Sequence, residues 1–407
     1  MKRVYFDARM IDHPGIGRYI RCLLPLIAED TELDVQILGD RDKIKKFLGV
    51  ERSVIDFNYS IYSIQEQVGF LKLKKIIKND ILHIPHYNVP IMARFNLVVT
   101  IHDIIHILYP EGASDRFAPL YMRFMVKRIL KTAKAVICVS QATKNEIEER
   151  LLLPPKSGGI VMTEKKRDNP EQGLRLGLGR AEGQSPFFSV IYEGIDKSFV
   201  KITDIAYLKN IKEKYKLPGR FLLYVGSIRR HKNIAALLDS FQKFKEKVTD
   251  ARLVMVGRLS QDIDIDRNGV TYLGEIESDK ELAAIYNLAS CLLNLSLYEG
   301  FGLTILEAQR CGLPVVCSDI PVHKEIGGEA IAAINPSYID QIDENLYNVL
   351  FNNTTRESLI SKGLENTKRF DWQSTAKNTI NTYRKICNEG SDSSRLAAGH
   401  ARRREDT

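Results

Sequence analysis

Glu299 and Glu307 stand eight positions apart around Gly300 and Gly302, in the stretch Tyr-Glu-Gly-Phe-Gly-Leu-Thr-Ile-Leu-Glu-Ala at residues 298–308. A pair of carboxylates can act as acid and base on one bond. Ionised carboxylates are also pure hydrogen-bond acceptors, a chemistry suited to sugar or ribose hydroxyls. The two glycines expose backbone N–H groups where a helix begins, and Gly312 and Pro314 end that helix, so the loop forms a cradle for an anion or a hydroxyl. Glu307 shares its helix with Ile305, Leu306 and Ala308. If that helix is buried, the carboxylate needs a partner; the alternative is an exposed helix residue.

Three further groups have the same strand, glycine, helix setting. In His13-Pro-Gly-Ile-Gly-Arg-Tyr, Gly15 and Gly17 let the backbone approach a phosphate at a helix start, although an ordinary tight turn uses the same residues. Tyr224-Val-Gly-Ser-Ile-Arg-Arg-His-Lys sets Arg229, Arg230 and Lys232 where a sheet domain opens its crevice, and these cations suit a diphosphate. Thr100-Ile-His-Asp offers His102 or Asp103 at a strand end; a buried structural histidine is the competing reading. His102 and His106 lack a third ligand in register, so no metal site is expected.

The elements that must position these groups alternate. Short apolar runs at Val4–Phe6, Val35–Leu38, Ile81–Ile84, Leu97–Ile101, Ala135–Val139 and Ser189–Tyr192 read as strands. Between the first two, Ile20, Leu23, Leu24 and Ile27 recur at helical spacing, and Ser140 is a candidate N-cap for a helix over Gln141–Leu152. A second series follows: strands at Phe221–Val225, Arg252–Val256, Thr271–Leu273, Cys291–Leu295 and Val315–Ser318, with helices at Ile234–Lys247, Asp279–Leu288 and Leu303–Arg310. Continuously apolar strands alternating with helices predict α/β domains built on parallel sheets covered on both faces. Ligands then bind outside the carboxyl ends of the strands, where all four groups fall.

The expected division is a domain over 1–199, with a loop or insertion at 154–188 beginning at Pro154-Pro155, and a second over 200–369. A helix over 370–387 carries the single tryptophan, Trp372, and is expected to pack back on the first domain; 388–407 reads as a disordered tail. Six scattered cysteines without a C-x-x-C pair disfavour zinc or redox chemistry. No long apolar run and no signal peptide is evident, so a cytoplasmic location is expected. The net charge of +8 suits an anionic partner. Arg116, Arg123, Lys127, Arg128 and Lys131 alternate with apolar residues as in a basic interfacial helix, or in a solvated domain helix. No nucleic-acid partner is expected.

Taken together, these residues resemble the retaining nucleotide-sugar glycosyltransferases of the GT-B fold, in the group that includes bacterial mannosyltransferases of surface-polysaccharide assembly. The resemblance covers about residues 1–150 and 189–387. It is carried by Glu299 and Glu307 in their motif, Gly-x-Pro-Val-Val at 312–316, Gly-Ile-Gly-Arg-Tyr at 15–19, Thr-Ile-His-Asp at 100–103, Val-Ser-Gln-Ala-Thr at 139–143 and Tyr-Glu-Gly-Ile-Asp at 192–196. It implies two Rossmann-like domains facing across a cleft. It also implies that Glu307 holds the donor ribose, that Glu299 and the backbone of Phe301, Gly302 and Leu303 hold the transferred sugar, and that Lys232 holds the diphosphate. His102 would lie near the reacting carbon, Gly15 and Gly17 by the phosphates, and Gly257, Glu275 and Ile276 beside the base. Many relatives carry arginine directly after the strand glycine; this chain has Ser227, which leaves Arg229 and Arg230 as alternatives for that charge. The implied donor is a nucleotide sugar, GDP-mannose in preference to a UDP-sugar, with no cofactor or metal. The implied acceptor is a glycan or lipid-linked glycan, with an anionic membrane as a further contact. A sugar-nucleotide epimerase or hydrolase on the same fold, and a non-enzymatic binder of anionic surfaces, are the alternatives.

Overall fold

The computed structural model describes residues 2–49, 53–110, 115–152, 186–259, 264–265, 267–336 and 338–405, with the backbone alone for 339–341 and 389–405. The first sheet consists of β1 (Lys2–Asp7), β2 (Leu33–Gly39), β3 (Val54–Asp56), β4 (Ile81–Ile84), β5 (Asn96–Ile101), β6 (Ala135–Cys138) and β7 (Phe187–Val190), in the order β3-β2-β1-β4-β5-β6-β7. The second consists of β8 (Leu222–Val225), β9 (Leu253–Val256), β10 (Val270–Tyr272), β11 (Cys291–Asn294), β12 (Val315–Ser318) and β13 (Ala332–Ile334), in the order β10-β9-β8-β11-β12-β13. Each of these pairings is parallel.

Both faces of each sheet are covered, which is why the central strands such as Ile81–Ile84, Ala135–Cys138 and Leu253–Val256 are largely apolar rather than alternating. On one face of the first sheet, Leu82, Val99 and Val136 meet Phe70 and Leu73 of the Ile64–Ile77 helix and Met125 and Val126 of the Ala118–Thr132 helix. On the other, Val4, Phe6 and Val98 meet Ile20, Leu23, Leu24 and Ile27, the helically spaced set of the Ile16–Ala28 helix. Full burial of each such side chain stabilises the fold by about 1.5–3 kcal/mol. Phe199 and Ile211 already belong to the core of the second sheet, so the chain changes domain between β7 and Phe199.

Two of the expectations shift. The insertion at 154–188 lies outside the described residues up to 185, and its last two residues, Phe187 and Phe188, form part of β7. The C-terminal helix runs from Trp372 to Glu405, through residues whose polar composition reads as a disordered tail. That stretch has no proline and carries Ala, Leu and Arg, all strong helix formers, so the helix has no internal stop. Its Trp372, Ala376, Ile380, Tyr383 and Ile386 join the core of the first domain beside the Ile16–Ala28 helix. A small cluster of Val139, Phe301, Leu306, Val322, Ile326 and Phe370 fills the space between the domains.

Strand order reverses between β1 and β4 in one sheet and between β8 and β11 in the other. Such reversals open crevices at the carboxyl ends of the strands. The loops leaving β1, β5, β8 and β11 are the four that carry the chemically capable residues.

Candidate active site

The loop after β11 holds Glu299 against Lys232 from the loop after β8. Lys232 Nζ lies 2.6 Å from Glu299 Oε1, and Ser296 Oγ donates to the same oxygen at 2.8 Å. Burial works to raise the Glu299 carboxyl, but Lys232 above all, with His323 and Ser296, pulls it down to about 2. Glu299 is therefore a firm anion and a poor general acid. His323 is itself fully buried, its Nδ1 on the Ser318 carbonyl at 2.9 Å and its Nε2 without a hydrogen-bond partner. His231, next to Lys232, is pushed down to about 4 by burial and by the Lys232 charge.

Across the cleft, His102 follows β5. Glu193 Oε1 holds its Nδ1 at 3.0 Å and the Tyr19 ring meets it edge-on at 4.9 Å, while its Nε2 is buried with no partner. The ring is thus fixed by one nitrogen with the other left for a further contact. The loops carrying His102 and Glu299 touch. A Cβ on Gly300 would lie 2.0 Å from the His102 carbonyl oxygen, so only glycine allows this approach. Ser140 Oγ donates to the Gly300 carbonyl at 2.7 Å, and the Ile104 N–H donates to the Tyr298 hydroxyl at 3.2 Å. Ser140 also caps its own helix by accepting from Thr143 N–H.

Glu307 is only 3% exposed, and its partners are identified. The Tyr286 hydroxyl donates to Oε2 at 2.8 Å, and Arg18 from the opposite domain binds Oε1. The second nitrogen of the same guanidinium binds Asp279, and its carbon lies 5.6 Å over the Phe199 ring. Burial raises the Glu307 carboxyl, against the pull of Arg18 and the Tyr286 hydrogen bond.

The remaining candidates divide. Gly15 opens the Ile16–Ala28 helix, and Gly17 packs so tightly that a Cβ would lie 2.5 Å from the Ile11 carbonyl. Arg229 and Arg230 are exposed at the mouth of the β8 loop. Gly257 packs on Gly226 where β8 and β9 end; Glu275 is exposed, with Arg258 at 4.0 Å, and Ile276 is half-buried. Phe301 turns its ring into the inter-domain cluster between Tyr192 and Phe370, which leaves its backbone, with Gly302 and Leu303, at the helix start. Sequence reasoning missed Arg18, Asp279, Tyr286, Ser296 and Glu193. Arg18 stands directly after Gly17, a cation beside a candidate phosphate loop, and Glu193 lies in the Tyr-Glu-Gly-Ile-Asp motif, so both carried a visible signal. Among the described residues no group of His, Cys, Asp or Glu side chains is arranged to hold a metal ion.

Comparison with known proteins agrees with this two-domain fold. The family described as Glycosyltransferase Family 4 matches residues 15–157, and Glycosyl transferases group 1 matches residues 209–366. The O-antigen chain mannosyltransferase B of Escherichia coli is 28% identical over 319 residues, 75% of this chain and 74% of that protein. The O-antigen chain mannosyltransferase RfbU of Salmonella typhimurium is 29% identical over 66% of this chain and 65% of its own length. Among solved structures, Anabaena HepE in complex with UDP and glucose superposes with a TM-score of 0.66 at 17% identity, covering 94% of this chain and 99% of that one. The chain belongs to the family 4 and group 1 glycosyltransferases and is a two-domain glycosyltransferase of the GT-B fold.

Proposed function

We propose that this enzyme transfers mannose, with retention, from a nucleotide diphosphate donor, GDP-mannose in preference to a UDP-sugar, to a glycan or lipid-linked glycan in cell-surface polysaccharide assembly. The observation that carries the reading is the Lys232–Glu299 pair, with Glu299 on a loop that touches the one carrying His102, whose buried Nε2 has no partner, at the switch points of two parallel sheets. The names of the O-antigen mannosyltransferase relatives support the sugar and the acceptor class. In this reading the donor C1–O bond breaks toward an oxocarbenium-like centre and the diphosphate leaves with the electron pair. Lys232, helped by Arg229 or Arg230, stabilises the growing negative charge. The acceptor hydroxyl attacks from the same face, and its proton passes to the departing phosphate oxygen. Gly15 and Gly17 lie by the phosphates, Glu307 by the ribose, and Gly257, Glu275 and Ile276 by the base. No metal or cofactor takes part, so chelation with EDTA leaves the rate unchanged.

One test is to supply GDP-mannose or UDP-glucose, radiolabelled in the sugar, with a membrane extract as acceptor. Label moving from GDP-mannose into lipid or glycan supports the reading. Free sugar or an epimer as the main product without acceptor identifies the hydrolase or epimerase alternative.

A specific surface favours work at an anionic membrane, on the cytoplasmic side. The Ala118–Thr132 helix exposes Phe117, Leu120 and Phe124 beside Arg116, Arg123, Lys127 and Lys131, and residues 116–134 contain no acid. Its neighbour Ile64–Ile77 exposes Ile64, Val68, Leu71 and Ile76 with Lys72 and Lys75, and its single acid, Glu66, is buried. Residues 90–92 join the two: Pro90 accepts from Arg128, Ile91 N–H donates to Gln67, and Met92 is exposed. Apolar side chains set among cations fit the headgroup region of an anionic bilayer. No helix among the described residues is long and apolar enough to cross one.

A further inference from the structure

Glu307 is claimed twice. The proposed function assigns it to the donor ribose, yet both of its oxygens are engaged, one by Tyr286 of its own domain and one by Arg18 of the other. Tyr286 holds the carboxylate from within the second domain and remains with it however the domains move. Arg18 does not. It sits at the start of the Ile16–Ala28 helix and reaches three groups of the opposite domain: Glu307, Asp279 and the Phe199 ring. A guanidinium is a planar fork whose two outer nitrogens can take two separate carboxylates, and here it takes both. With Arg18 in place Glu307 has almost no surface left, so a diol cannot reach the oxygen that the guanidinium covers.

From this geometry we propose that Arg18 is a donor-affinity-setting residue, a latch that occupies on Glu307 and Asp279 the position the nucleotide ribose takes and releases it only when the domains part. The inference rests on the donor reading of Glu307. A vicinal diol offers two O–H donors to a carboxylate, as the guanidinium offers N–H donors, so the two are chemical equivalents from the side of Glu307. Because the domains carry the two halves of the contact, releasing Arg18 and opening the cleft are one event. Arg18 therefore lowers the fraction of molecules ready to bind, and apparent donor affinity falls by that fraction. It also keeps a buried carboxylate paired while no donor is present, which an empty site would otherwise leave uncompensated.

The test is titration calorimetry of GDP and of UDP on the full chain, with small-angle scattering of the ligand-free protein. R18Q is expected to bind its preferred nucleoside diphosphate at least about fivefold more tightly than wild type and to show a larger radius of gyration without ligand. D279N, which removes one of the two anchors and leaves Glu307 untouched, is expected to move both readouts in the same direction by less, and it serves if R18Q does not fold. In an E307Q background the R18Q gain disappears, because the latch acts through Glu307. Unchanged or weaker nucleotide binding in R18Q and D279N overturns the latch. If neither wild type nor any variant binds a nucleoside diphosphate, the donor reading itself fails, and an unchanged radius of gyration in R18Q rejects the latch independently.

Discussion

Removing the Lys232 ammonium leaves Glu299 in a buried loop with Ser296 and His323 as its remaining company. The same change takes away the cation assigned to the leaving diphosphate. Lys232→Ala is expected to lose about 1.5–3 kcal/mol of transition-state stabilisation, roughly 10- to 150-fold in kcat/KM for transfer; turnover close to wild type removes Lys232 from that role. The pair also writes a pH signature. The Glu299 carboxyl is lowered from 4.5 to about 2 in the folded protein, so its stabilisation is complete above 4.5 and is lost as pH falls from there toward 2. Thermal unfolding of Lys232→Ala should therefore depend less on pH across that window than wild type does. At this scale the sequence announced needs rather than partners. An apolar helix around Glu307 demands a counter-group, but Arg18 and Glu307 are 289 positions apart and no local pattern joins them. The buried set of Asp7, Arg9 and Glu66 is equally silent in the sequence, since the run Phe-Asp-Ala-Arg reads as a strand running into a polar loop.

Helices and strands were far more legible, because each one announces itself within a dozen residues. The helices Ile234–Lys247, Asp279–Leu288 and Leu303–Arg310 and the strands Ile81–Ile84 and Val315–Ser318 stand where periodicity puts them. The β3 strand is only three residues long and escapes any periodic reading, as does β13. The loops between elements carry the chemistry, and the β5 and β11 loops meet in very close contact. Gly300→Ala sets a methyl 2.0 Å from the His102 carbonyl oxygen, far inside van der Waals contact. The strain relaxes most cheaply by parting the two domains rather than by disrupting either core. The expected result is transfer reduced more than about tenfold with thermal unfolding near that of wild type. Wild-type transfer in this variant shows that the two loops need not meet.

For the whole molecule, each sheet has its own apolar core, and a small apolar cluster together with polar contacts joins the two domains across the cleft. Glu325 caps the Gln141 helix from the opposite domain, accepting from the N–H groups of Gln141 and Ala142 at 2.6 and 2.8 Å. The helix from Trp372 crosses back to the first domain, so the chain passes between the domains twice, an arrangement suited to hinge motion. The Ala118–Thr132 and Ile64–Ile77 helices of the first domain pair exposed apolar side chains with an excess of cations. In sedimentation with phosphatidylglycerol vesicles at low salt, wild type is expected to pellet and a Leu120→Glu, Phe124→Glu variant to stay in solution, with transfer to a water-soluble acceptor retained. Equal pelleting with neutral phosphatidylcholine, or no loss in the variant, removes the membrane role from this face.

The central claim is that Glu307 and Glu299 hold the two ends of one nucleotide-sugar donor. A crystal structure with a nucleoside diphosphate sugar reads this directly. The account predicts the ribose hydroxyls within hydrogen-bond distance of Glu307 with Arg18 displaced from it, the diphosphate on Lys232, and the sugar between Glu299 and His102. A donor bound with its ribose away from Glu307, and with Arg18 still on that carboxylate, contradicts it.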